Sequence, residues 1–147
     1  MSHHEWNYTM YGIELPNEKP DDDKVLAFID NQKEVFAWFT DENYYPTDHY
    51  SLDEFMYDYE DEMGNTGISV LIADVICNMF IVPAYDQYGN EFIGMYATTM
   101  FPWYHNRMGG EWKSITPEYI EDCIRPVVEE LYDMCPDFTE HIIWQNG

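Results

Sequence analysis

The stretch IVPAYDQYGNEFIGMYAT, residues 81–98, decides the fold reading. Two apolar and aromatic runs, 81–85 and 92–98, flank Asp86-Gln87-Tyr88-Gly89-Asn90, which places a glycine in a short polar connection. That pattern predicts a β-hairpin. Pro83 has no backbone donor, so the first strand is expected to leave one edge free.

Helical periodicity surrounds this hairpin on both sides. Upstream, Ile68, Leu71, Ile72, Val75, Ile76 and Met79 share a face that Val70 and Ala73 widen, predicting a mostly buried helix capped at Asn65 or Thr66. Its β-branched content keeps a strand reading open. Further upstream, Ser51 and Glu54 form a capping box. Leu52, Phe55, Met56, Tyr59 and Met63 then make one apolar stripe, which Gly64 is expected to end. Val25, Phe28, Ile29, Phe36 and Phe39 fit a helical period with a weak join at Gln32, and residues 21–23, all aspartate, suit a helix start. Residues 6–15 read as a strand.

Downstream, residues 101–112 form an aromatic loop. Thr116-Pro117 opens a helix with threonine at the cap and proline at the first position. Ile120, Ile124, Val127, Val128 and Leu131 are its buried stripe, Pro126 predicts a kink or break near residues 122–125, and residues 138–144 read as a last strand. The whole predicts one α+β domain over residues 1–147, with three to five helices packed on a small antiparallel sheet and the hairpin at its centre. That length is one domain's worth.

The charge is the other conspicuous feature. Net charge is -23. From residue 34 to residue 106 no lysine or arginine occurs, while that interval holds 13 aspartates and glutamates. Solubility of a small domain needs only a net charge of about 2–8 in magnitude, and a one-signed field destabilises a compact chain. The surplus points to a basic partner. With 18% aromatic residues, the chain is not a disordered acidic tail, since those lack aromatic and apolar residues.

An acidic surface is repelled by the nucleic-acid backbone and by anionic lipid. No direct contact with nucleic acid or membrane is therefore expected. The longest apolar stretch, residues 68–82, is interrupted by Asp74 and Asn78 and is too short to span a bilayer. Cys77, Cys123 and Cys135 make an odd count, and no basic, apolar leader is evident near the N-terminus. Reduced thiols in a cytoplasmic protein are the expectation.

Residues 41–62 concentrate the acids. Asp41, Glu42, Asp53, Glu54, Asp58, Glu60, Asp61 and Glu62 lie there among Tyr44, Tyr45, Tyr50 and Tyr57, with no base. On a helix Glu54, Asp58 and Asp61 fall in one narrow sector, with neighbouring Cβ atoms about 5–6 Å apart. A nucleic-acid strand presents one phosphate per about 3.4 Å of axis, and arginine binds carboxylate as readily as phosphate. Tyrosine adds contact area on which basic side chains stack. The expected partner-binding residues are therefore Asp41, Glu42, Tyr44, Tyr45, Asp53, Glu54, Tyr57, Asp58, Glu60, Asp61 and Glu62. The acids of the helix after Thr116, namely Glu118, Asp122, Glu129 and Asp133, read instead as a solvated face in which Arg125 pairs.

Catalytic and metal patterns are absent. No G-x-S-x-G, P-loop, H-E-x-x-H or C-x-x-C occurs. Residues 58–64 resemble a calcium loop only superficially, because Met63 stands where glycine is required. Cys123, Cys135, His105 and His141 match no zinc spacing, and Cys77 and Cys123 read as inert small hydrophobes. No cofactor and no metal are expected. Trp103, Tyr104 and Trp112 either close over the core or line a pocket.

In its acid-rich segment, size and charge balance, the chain resembles the small acidic inhibitors of phages and mobile elements, among them DNA-mimic antirestriction and anti-CRISPR proteins. The resemblance implies a stoichiometric inhibitor of a basic nuclease or other nucleic-acid-binding protein and carries no residue roles. An immunity protein or antitoxin for a nuclease toxin shares these features. A small enzyme using the aromatic loop with His105, and an acidic adaptor, are alternatives of other classes.

Overall fold

The computed structural model describes residues 5–37, 51–60, 64–97, 101, 103 and 115–146. In chain order the elements are β1 (Glu5–Glu14), α1 (Asp22–Asn31), α2 (Leu52–Asp58), α3 (Ile68–Ile76), β2 (Val82–Tyr85), β3 (Glu91–Tyr96), α4 (Pro117–Tyr132) and β4 (Thr139–Asn146). The strands form one antiparallel sheet in the order β2-β3-β1-β4. The α+β class is as the sequence predicts. The hairpin is β2–β3, closed by the Asp86–Asn90 turn, but it forms one side of the sheet, with β2 outermost; β1 and β3 are the inner strands. Pro83 accordingly sits on the outer strand, where its missing donor costs no ladder bond.

The sheet has two unlike faces, because side chains alternate along each strand. Ile13, Leu15, Ile93 and Met95 point to the face covered by the helices, where they join Val25, Phe28, Ile29, Phe55, Leu71, Ile72, Ile120, Ile124, Val128 and Leu131 in the main core. Met10, Ala84, Phe92 and Ile143 point the other way and form a second, smaller buried cluster. A curl in the sheet brings the outer strands together over that second face. The Gln87 backbone N–H donates to the Trp144 carbonyl at 2.8 Å, and Gln145 Nε2 donates to the Tyr85 carbonyl. Gly12 and Gly94 face one another across the inner pair. A Cβ on Gly12 would lie 2.1 Å from the Ile93 carbonyl oxygen. The bare backbones at this pair permit their close approach.

The helices follow their sequence signals with four corrections. The helix predicted from Leu52 to Met63 stops at Asp58, because Tyr59 leaves helical geometry at ψ 111°. Its ring turns into the core against Phe36 and Phe55, and its hydroxyl donates to Asp74 on α3. Gly64 thus lies between the bridged residues Glu60 and Thr66, beyond the helix end. The cap of α3 is Gly67, at φ 121°, instead of Asn65 or Thr66. That helix ends at Ile76, leaving Met79 80% exposed. Finally, α4 runs through Pro126 without a break: Pro126 is on its exposed side, while Ile120, Ile124, Val128 and Leu131 anchor both halves in the core. Ser51 and Thr116 cap α2 and α4 as predicted, accepting from the Glu54 and Tyr119 backbone N–H groups at 3.2 and 3.1 Å. Among the described residues no helix is long and apolar enough to cross a membrane.

Candidate functional site

The acidic segment is organised by α2. Phe55 is fully buried and Leu52 and Met56 are half-buried against the main core, which fixes the helix by one side. Asp53, Glu54, Tyr57 and Asp58 emerge on the other side, and Glu60 is exposed just beyond. Tyr57 is 81% exposed, an unusual position for a large aromatic ring and one common at contact surfaces. Glu54 and Asp58 are one turn apart on this face. Asp53 and Glu54 lie in the first turn, where the positive end of the helix favours them; Asp58 lies at the last turn with no basic residue, where the dipole disfavours it.

Of the predicted sector, Glu54 and Asp58 lie on α2, which ends at Asp58. Asp41, Glu42, Tyr44, Tyr45, Asp61 and Glu62 lie outside the described residues. What sequence periodicity missed is a second source of acid beside α2. The first turn of α1 and the exposed side of α2 meet at a groove of about 280 Å³ lined by Lys19, Asp22, Asp53, Met56, Tyr57 and Glu91. Aspartates from two helices therefore flank one depression, with a single lysine among them. The sequence signal is Asp22, which reads there as part of a helix start.

Three ion pairs lie away from this face. Lys24 of α1 pairs with Asp133 at the end of α4, Lys33 with Asp30, and Arg125 with Glu121. Two of the chain's six basic side chains thus pair with acids of α4 and its cap.

No protein-family model, curated protein or solved structure matches this chain.

The other candidate chemistries come apart in the structure. Among the described residues no group of histidines, cysteines and carboxylates is placed to hold a metal ion. Cys123 and Cys135 pack against the main core, whereas His141 stands on the opposite face of the sheet, its ring edge-on to Phe92 at 5.3 Å. The sheet separates them. Burial pushes both thiols up from their ordinary value. Cys77, expected to be an inert small hydrophobe, is exposed at the left-handed end of α3. From the aromatic loop, Phe101 is buried and stacks on Trp103 at 4.7 Å, and both pack on Tyr11. Those two rings close over the core. Tyr104, His105 and Trp112 lie outside the described residues.

Proposed function

We propose that this chain is a cytoplasmic acidic binding module that inhibits a basic nucleic-acid-binding protein or nuclease by occupying its phosphate-contacting surface. The observation that carries the reading is the one-sidedness of α2. Phe55 locks the helix into the core while Asp53, Glu54, Tyr57, Asp58 and Glu60 are all exposed. Carboxylates on an anchored backbone can substitute for phosphates without the entropy cost of ordering a flexible tail. The net charge of -23 would accelerate encounter with a basic partner and make binding salt-dependent.

The test is capture of partners on the immobilised protein from its native host, washed at graded salt and then with duplex DNA. A nucleic-acid-binding protein should be retained at low salt, lost at high salt and displaced by duplex DNA. A partner retained equally at both salts and indifferent to DNA would reject the mechanism.

A further inference from the structure

A cleft of about 680 Å³ opens beside the seam where β2 approaches β4. Tyr8, Tyr85 and Tyr96 line it together with Asn65 and Gln145, over an apolar floor that includes Ala84 of the smaller buried cluster. The Tyr8 and Tyr96 rings are 5.4 Å apart and tilted by 49°. Tyr8 is held by Trp6, whose indole N–H donates to its hydroxyl at 2.9 Å. Gln145 Nε2 gives one of its two hydrogens to the Tyr85 carbonyl, and its amide oxygen is an acceptor.

No charged residue is among the described residues that line this cleft, although the chain carries 29 acids. Three phenol rings supply negative ring faces, and the surrounding field concentrates cations. An anion would meet that field with no basic side chain to hold it. We propose that the cleft binds the charged end of an organic cation, an ammonium or guanidinium group. Burial, followed by the neighbouring Tyr8, pushes the Tyr96 phenol above its ordinary value, so that ring stays neutral at physiological pH.

The source of the cation is either a basic side chain of a bound protein or a free small molecule. Only the first source rests on the function proposed above. It is geometrically open: Asn65 lines the cleft and the next residue, Thr66, lines the acidic groove, so the two adjoin along the chain.

The full chain is titrated while the tyrosine ring protons are followed by NMR. The probes are choline, its uncharged twin 3,3-dimethyl-1-butanol, and the capped amides of arginine and lysine. Choline should shift the Tyr8, Tyr85 and Tyr96 resonances saturably and bind about tenfold more tightly than the neutral twin, which corresponds to about 1.4 kcal/mol and lies within the range for a ring–cation contact. Tyr8→Leu should lose that advantage and Tyr8→Phe should keep it, since the ring face and not the hydroxyl makes the contact. Binding of the capped amides as well would identify a protein side chain as the source, and binding of choline alone a free cation; either supports the site. Equal affinity for choline and its neutral twin, or no saturable shift with any cation, would overturn it. These probes need no protein partner, so the cleft can fail while salt-dependent partner binding stands, and the reverse.

Discussion

Glu91 of β3 caps α3 from across the fold. One carboxylate oxygen, Oε1, accepts from both the Ser69 backbone N–H at 3.1 Å and the Ser69 hydroxyl at 2.7 Å. Helix starts leave backbone donors unsatisfied, and Gly67 supplies no side chain to meet them. Ser69 is fully buried, so water is no substitute. The close approach of Glu91 also dictates the cap residue: a Cβ at Gly67 would sit 2.2 Å from the same oxygen, at a φ of +121° that favours glycine.

Glu91→Ala should therefore destabilise the fold by roughly 1–3 kcal/mol, the cost of leaving buried donors unpaired. Gly67→Ala should destabilise it by a similar amount or more through the strained backbone, roughly 1–3 kcal/mol, and through the clash. Urea unfolding of each variant checks both. If either variant unfolds at the wild-type midpoint, the cap is not holding α3.

Alkaline pH should unfold the protein through its buried phenols. Burial, then the hydrogen bond to Asp74, push Tyr59 well above its ordinary value of 10.0; burial, then Glu91, do the same to Tyr132. A folded-state value above the unfolded one means the unfolded chain releases these protons first. The stabilisation is thus complete below about pH 10 and is lost as pH rises beyond it. Each such phenol should lower stability by up to about 1.4 kcal/mol per pH unit in that window. Tyr59→Phe should lower stability near neutrality by roughly 0.5–1.5 kcal/mol, through the lost hydrogen bond, yet flatten the decline above pH 10. Denaturant midpoints measured from pH 7 upward would show the crossover, and parallel declines for both proteins would contradict it.

Thiol labelling should divide the cysteines. Cys77 is exposed, while Cys123 and Cys135 are packed against the core with their thiols pushed up by burial. A colourimetric thiol reagent near neutral pH should therefore give one fast equivalent and two slow ones, since the thiolate is the reacting species. Cys77→Ser should remove the fast phase alone. Three equal rates would mean that the helical layer opens readily.

Much of the fold was legible because local signals were unopposed. The Thr116-Pro117 start, the Ser51 cap and the Gly89 turn all carry their own geometry. Element ends were less legible where a distant contact decides them. Nothing around Tyr59 announces that Asp74 will draw it out of the helix, and nothing near Gly67 announces Glu91. The close approach of Gly12 and Gly94 was hidden for the same reason, since the two lie far apart in sequence. Of the acidic site, α2 was readable from its period. Its meeting with Asp22 was not, because two helices must first be packed together.

If the anchored acidic face of α2 recognises a basic partner, as proposed, its carboxylates should dominate that affinity. The most direct measurement is the affinity of the isolated partner for three proteins at low and high salt: the wild type, a variant with Asp53, Glu54, Asp58 and Glu60 changed to lysine, and a control with Glu118, Asp122 and Glu129 changed to lysine. The α2 variant should lose binding at low salt by far more than the α4 control, and the wild-type affinity itself should fall steeply with salt. Equal losses in the two variants, or an affinity indifferent to salt, would contradict the proposal.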